Sequence, residues 1–147
     1  MLNSRAGKFT TTTAILLLLV AIGSSVSIIR AQSTNSIESE RGTYATFQDA
    51  IDDAQNGDVL TITSGTHNGN FVITKSITVI GNGWPVFDGG GDGNVITVEA
   101  SDVAISGLVI QNSGGTLNSE DAGIEVNAPN VTIEGNRIQD TLFGVYL

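Results

Sequence analysis

The amino-acid sequence predicts an all-β protein: a right-handed, single-stranded parallel β-helix of about four coils with a short helix capping its N-terminal end. After Gly57 the hydrophobic pattern has a period of two, in runs of three to five residues rich in Val, Ile and Thr. One segment also recurs with little change, as "SITVIGN" at 76–82, "DVAISGL" at 102–108 and "NVTIEGN" at 130–136, at offsets of 26 and 28 residues. These two observations carry the prediction.

A repeat of this length is typical of solenoids and propellers. A propeller blade would need antiparallel hairpins with tight turns in repeats of roughly 40 residues. Each period here instead contains three short strands with Gly or Asn at the corners, as in "ITVIGNGWPVFDGGGDGNVITV" at 77–98. Coils stacked about 4.8 Å apart would place Val79, Ile105 and Ile133 in one internal column.

The N-terminal region is predicted to lie outside the β-helix. Arg5 and Lys8 precede an apolar run at 14–22, and small residues lead to a candidate cleavage site after Ala31, so residues 1–31 are predicted to be an export signal. An uncleaved N-terminal anchor is the alternative. Residues 32–42 carry one apolar side chain and are predicted to be a linker before a domain at 43–147. We therefore expect a periplasmic or otherwise extracytoplasmic protein.

The domain begins with a predicted helix at 46–54. Apolar residues fall at i, i+3, i+4 and i+7 from Phe47, with Thr46 placed to cap the start and Asn56-Gly57 to end it. A helix this short is not stable alone. We expect it to cover the open edge of the first coil.

The predicted strands follow the helix to the end of the chain. They cover 58–62, 71–74, 76–80, 85–88, 94–98, 102–105, 107–110, 122–126, 130–133, 136–138 and 143–147. The last run, "FGVYL", stops in mid-strand without a cap, so the domain is expected to be incomplete at its C-terminus.

Net charge and composition exclude some classes of partner and of metal site. Beyond the predicted signal, the three cations Arg41, Lys75 and Arg137 stand against 15 carboxylates, a net charge of −12. Such a surface repels phosphate polyanions, so nucleic acid is not an expected partner. The sequence has no cysteine, which excludes disulfides and thiolate metal sites.

Carboxylates in two loops are candidate sites. Asp88 and Asp92 frame "DGGGDG", which suits either a calcium site or a glycine-rich corner whose aspartates cap backbone N–H groups; we favour the corner. Glu120 and Asp121 lie in the longest loop, where a carboxylate pair can perform acid–base chemistry, but adjacent side chains point apart and a solvated loop is favoured. No catalytic residue is therefore assigned.

One histidine and four aromatic residues are candidates for a metal site and for a sugar-binding surface. His67, the only histidine, is the one candidate metal ligand, and a structural role in a turn is the favoured interpretation. Four aromatic residues, Trp84, Phe87, Phe143 and Tyr146, suit either sugar stacking or, as we favour, the core and the column ends.

Three stretches together resemble the NosD family. They are "ATFQDAIDDAQNGDVLTITSGTHNGNFVITKSITVIGN", "FDGGGDGNVITVEASDVAISGLVIQNSGG" and "DAGIEVNAPNVTIEGNRIQDTLFGVYL", within residues 45–147. The resemblance implies a pectin-lyase-like right-handed β-helix. It further implies a non-enzymatic periplasmic protein that acts with an ABC transporter in assembling the copper–sulfur centre of nitrous oxide reductase. This sequence has His67 where the family usually carries a tyrosine.

The resemblance also implies that this chain contacts partner proteins. No cofactor is expected in this chain itself, so any copper handling would fall to further C-terminal coils or to partners. Asp121, Arg137 and Phe143, in the 112–121 loop and at exposed corners, are the candidate docking residues for the transporter components and the reductase. The alternative is a polysaccharide lyase or hydrolase, or a carbohydrate-binding β-helix. A lyase or hydrolase predicts an aligned row of Asp with Lys or Arg across successive coils.

Overall fold

The computed structural model describes residues 36–147. The predicted export signal and the first part of the predicted linker lie outside the described residues. Within 36–147 there are one α-helix, α1 (Phe47–Asp53), a 3₁₀ turn at Leu117–Ser119 and fourteen β-strands. In order, the strands are β1 (Ile37–Ser39), β2 (Gly42–Tyr44), β3 (Val59–Thr63), β4 (Thr66–Asn68), β5 (Phe71–Ile73), β6 (Thr78–Asn82), β7 (Val86–Asp88), β8 (Ile96–Val98), β9 (Ala104–Ser106), β10 (Val109–Gln111), β11 (Ala122–Val126), β12 (Thr132–Glu134), β13 (Arg137–Gln139) and β14 (Phe143–Tyr146).

The strands form three sheets in which every third strand is a neighbour. The first sheet has the order β12-β9-β6-β3-β1-β2, the second β13-β10-β7-β4 and the third β14-β11-β8-β5. From β3 onward every pairing is parallel. The chain therefore passes through the three sheets in turn, four times, and the predicted parallel β-helix is confirmed.

The register of the first sheet builds an internal column of aliphatic side chains. Leu60 pairs with Val79, Val79 with Ile105, and Ile105 with Ile133. The first three are fully buried, and Ile133 packs partly buried against the same core. Burying an aliphatic side chain of this size contributes about 1.5–3 kcal/mol, so the column is a main source of stability. The predicted alignment of Val79, Ile105 and Ile133 is confirmed.

The corner between the first and second sheets depends on close backbone approach. Gly107 has φ +75°, and a Cβ there would lie 2.6 Å from the carbonyl oxygen of Gly81 in the coil before. In the next coil the Asn136 amide bridges coils, since its Oδ1 accepts from Leu108 N at 3.0 Å and its Nδ2 donates to Ile105 O at 2.9 Å. These contacts explain why all three copies of the recurring segment carry Gly after the strand and why Asn follows that Gly in the third copy.

Helix α1 closes the N-terminal end as predicted. The Thr46 hydroxyl accepts a hydrogen bond from Asp49 N at 3.1 Å, which caps the first turn. The Phe47 ring meets Phe87 and Phe71 edge-on, with centroids 5.0 and 5.4 Å apart. Because these rings come from the helix and from the first two coils, the cap is anchored in the core.

Within residues 36–147 no helix is long and apolar enough to cross a membrane.

Three strands lie where the sequence predicted none. Strands β1 and β2 form an antiparallel hairpin that starts inside the predicted 32–42 linker, and β1 also pairs with β3. The single apolar residue of that segment, Ile37, is fully buried, so one side chain and the ladder suffice to order it. Strand β4, "THN", lies where the sequence predicted a turn, and its one inward residue is His67. The other eleven strands each overlap a predicted segment.

Candidate functional site

Asp121 is buried and organises the long loop. It is 4% exposed, and its Oδ2 accepts a hydrogen bond from Thr116 N at 2.7 Å. Gly114 lies so close to this carboxylate that a side chain there would clash with it. Ser113, also buried, accepts from Leu142 N at 3.1 Å and so ties the loop to the next coil. The Asp121 side chain thus satisfies a backbone donor of its own loop. The predicted docking role of Asp121 stays a prediction.

Glu120 points away from Asp121, as expected for adjacent residues. It is exposed, has a left-handed φ of +54°, and follows the 3₁₀ turn. Its carboxylate accepts from the Tyr146 hydroxyl and raises the pKa of Tyr146 above its ordinary value. The two carboxylates thus belong to different surroundings and do not form the pair that acid–base chemistry requires.

Phe143 lies next to Asp121 across the third sheet. Phe143 N donates to Asp121 O at 3.2 Å, and its ring packs against Tyr146 with centroids 5.5 Å apart. Both rings are partly exposed on the last described coil. The partial exposure of Phe143 agrees with its predicted docking role, which stays a prediction.

Arg137 lies on a different sheet from the other two predicted docking residues. It starts β13 in the second sheet, and its guanidinium stacks over the Trp84 ring, with Cζ 3.9 Å from the ring centroid. Trp84 was expected in the core or at a column end, but 43% of it is exposed. The physical reason is its position in the Gly83–Trp84–Pro85 corner before β7, which directs the side chain outward. The docking role of Arg137 stays a prediction.

The outer face of the second sheet also carries a polar ladder. Asp88 Oδ2 accepts from Gln111 Nε2 and from Asn112 Nδ2, both at 2.8 Å, and Asp88 Oδ1 accepts from Gly90 N at 2.9 Å. Gln139 Nε2 extends the ladder to Gln111 Oε1 at 3.0 Å. These donors, Gln111 foremost, hold the pKa of Asp88 below its ordinary value. For Asp88 the structure therefore supports the capped-corner interpretation of "DGGGDG".

His67 faces the core at the N-terminal end. It is 8% exposed, stacks on Phe87 with centroids 5.2 Å apart, and its Nε2 has no hydrogen-bond partner within the described residues. Burial in the apolar core lowers the pKa of His67 below its ordinary value and so favours the neutral imidazole. A half-open cavity of about 200 Å³ lies beside it, lined mainly by the start of α1 and by β4 and β5. Residues 36–147 contain no group of three or more His, Asp or Glu side chains placed to hold a metal ion.

No protein-family model matches the chain. A curated protein of Pseudomonas aeruginosa, "Probable ABC transporter binding protein NosD", is 32% identical to it over 88 residues, which are 58% of this chain and 21% of that protein. The match thus spans about a fifth of the relative's length. Together with the stacked parallel coils, it confirms the resemblance predicted from the sequence: the described residues form a NosD-like parallel β-helix.

Proposed function

We propose that this chain is a non-enzymatic accessory protein that acts outside the cytoplasm with an ABC transporter in maturing the copper centre of nitrous oxide reductase. The observation that carries the proposal is the 32% identity to a protein named as an ABC transporter binding protein. Because the match covers 21% of that protein, its partners are proposed for this chain rather than transferred to it.

The packing of the coils supports a role as a rigid surface. Adjacent coils are joined by backbone ladders and by side-chain bridges such as Gln139–Gln111–Asp88. Side chains on such a surface are held in a fixed arrangement, which lowers the entropic cost of binding a partner. A preorganised surface of this kind suits docking more than it suits induced closure around a small substrate.

The outward-facing side chains that lie in register on successive coils favour docking over polysaccharide cleavage. A lyase or hydrolase on this fold would align acidic residues with Lys or Arg on successive coils. In the second sheet, however, Asp88 is followed by Gln111 and Gln139 in register. In the third sheet, Glu125 lies in register between Thr97 and Tyr146. Amides, hydroxyls and a phenol thus occupy the positions next to each carboxylate.

Copper does not fit the described residues. Soft copper ions prefer sulfur and imidazole ligands, but the chain has no cysteine, and its one methionine is Met1. His67 supplies one imidazole, and its Nε2 is buried in the core beside Phe87. The proposal therefore assigns copper handling to partners or to further coils, and no step of it passes through His67.

A deletion strain tests the proposal. We expect nitrous oxide reductase purified from a strain lacking this gene to contain less copper and to have lower activity than the reductase of the parent strain. Full-length protein supplied from a plasmid should restore both, and the unrelated copper enzymes of the strain serve as the control. Unchanged copper content of the reductase would refute the accessory role.

A further inference from the structure

We propose that Trp84 and Arg137, on the outer face of the second sheet, form the docking point for a protein partner that presents a carboxylate beside an apolar side chain. This inference rests on the proposed function and takes that partner to be the transporter. The docking point lies on the second sheet, whereas Phe143, another predicted docking residue, lies on the third sheet.

The backbone at Trp84 is the first observation. Six described residues other than glycine have positive φ, and four of them are Asn or Asp, which tolerate it. Trp84, at φ +60°, does not belong to that tolerant group, and it also precedes Pro85, a position that favours extended backbone. Glycine would adopt this φ without strain. A strained corner that carries an exposed tryptophan points to a role for the side chain itself.

The charge of Arg137 is the second observation. In the described part of the chain, Arg41 is neutralised by Asp58 at 2.6 Å, whereas Arg137 has no carboxylate within salt-bridge distance. Its guanidinium lies against the Trp84 ring instead. A stacked guanidinium keeps the N–H donors at its edge, which match the two oxygens of a carboxylate. Arg137 is thus an unneutralised, oriented cation on a chain that is otherwise strongly acidic.

Apolar residues complete the surface. Val86 and Val109 lie in register with each other and with Arg137, and they alternate with the buried residues Phe87 and Ile110, so they face outward. The surface defined by Trp84, Val86, Val109 and Arg137 therefore combines an aromatic ring, two aliphatic side chains and one cation. A carboxylate next to an apolar side chain complements all of these features.

A protein fits this surface better than a glycan chain. Trp and Arg are the residue types most enriched among the residues that dominate protein–protein binding energy. An acidic polysaccharide would bring many charges to a surface whose net charge of −12 repels them, whereas a protein can place a single carboxylate at Arg137. Charge complementarity therefore favours a folded partner.

The test uses the exported full-length protein and the purified transporter in lipid nanodiscs, with affinity measured by biolayer interferometry. We expect Arg137→Gln and Trp84→Gly each to weaken binding about tenfold or more. Trp84→Gly also relieves the positive φ, so its folding is protected. Lys75→Gln is the matched control, because it removes one positive charge elsewhere and should change the affinity less than about twofold.

A second readout reports on the same side chain. Trp84 is the only tryptophan among residues 1–147, and its ¹⁹F resonance in protein labelled with 5-fluorotryptophan is identified as the one absent from Trp84→Gly. We expect this resonance to shift on addition of the transporter nanodiscs and to stay in place on addition of empty nanodiscs, oligogalacturonate or chitooligosaccharides. A shift with an oligosaccharide but not with the transporter would overturn the inference in favour of a glycan site.

The outcomes separate the two proposals. Wild-type binding with unchanged affinity in Trp84→Gly and Arg137→Gln would overturn the docking surface and leave the proposed function standing. No binding of the wild-type protein to the transporter would overturn both.

Discussion

Truncation of Ile105 is the sharpest test of the internal column of aliphatic side chains. It is 1% exposed and lies in register between Val79 and Ile133, with a coil on either side. The substitution Ile105→Ala removes three carbon atoms, which is about 2.4 kcal/mol of transfer free energy at ~0.8 kcal/mol per buried group. Because neighbouring coils are fixed by their ladders, the site collapses only partly, and the cavity raises the expected loss to about 3–4 kcal/mol.

The matched control for this prediction is Ile80→Ala. Ile80 lies on β6 of the same sheet and is 40% exposed, so its truncation should cost less than about 1 kcal/mol. The assay is urea denaturation followed by circular dichroism, with the two free energies of unfolding compared at equal m values. A loss for Ile105→Ala no larger than that for Ile80→Ala would show that the column does not exist.

Three further substitutions test individual contacts. Burial lowers the pKa of His67, so the wild-type protein should lose stability as pH falls below 6.5, where the unfolded chain binds the proton more readily; His67→Phe should flatten urea midpoints between pH 7.5 and 5.5, and equal slopes would refute this. Asp88→Asn should lower the melting temperature at pH 7, and because the pKa of Asp88 is lowered, the difference should shrink as pH falls below 3.8; a constant difference would argue against the capped carboxylate. Asp121→Ala should cost about 1.5–3 kcal/mol and speed hydrogen exchange at the Thr116 amide, whereas unchanged exchange there would contradict the loop contact.

The repeat made most of the fold predictable. Val79, Ile105 and Ile133 occupy equivalent places in a recurring segment, so their alternation fixes both the inward face and the register between coils. Strand β4 escaped prediction because Thr66 and Asn68 are polar and the inward side chain is His67. Strand β1 was not predicted because its structure depends on pairing with β3, and no local sequence pattern reveals a contact between distant segments.

The candidate site was less predictable for a related reason. Asp121 lies in a polar stretch, so nothing local distinguishes it from the exposed Glu120; its burial follows from the need of the loop backbone for an acceptor. The pairing of Trp84 with Arg137 joins the second coil to the fourth and depends on the tertiary stack. The one local signal was the Gly83–Trp84–Pro85 sequence, which marks a corner and an outward side chain.

Engineered disulfides test the parallel stacking of coils most directly. The chain has no cysteine, and Thr97 and Glu125 are outward residues in register on adjacent coils, about 4.8 Å apart, which is within the reach of a disulfide. Tyr146 lies one coil further, in register with Glu125, so its Cα is about 9.6 Å from that of Thr97 and out of reach. We predict that the double variant Thr97→Cys, Glu125→Cys oxidises to an internal disulfide and that Thr97→Cys, Tyr146→Cys does not. Cross-linking of the second pair without the first would contradict the stacked-coil architecture on which the proposed docking surface rests.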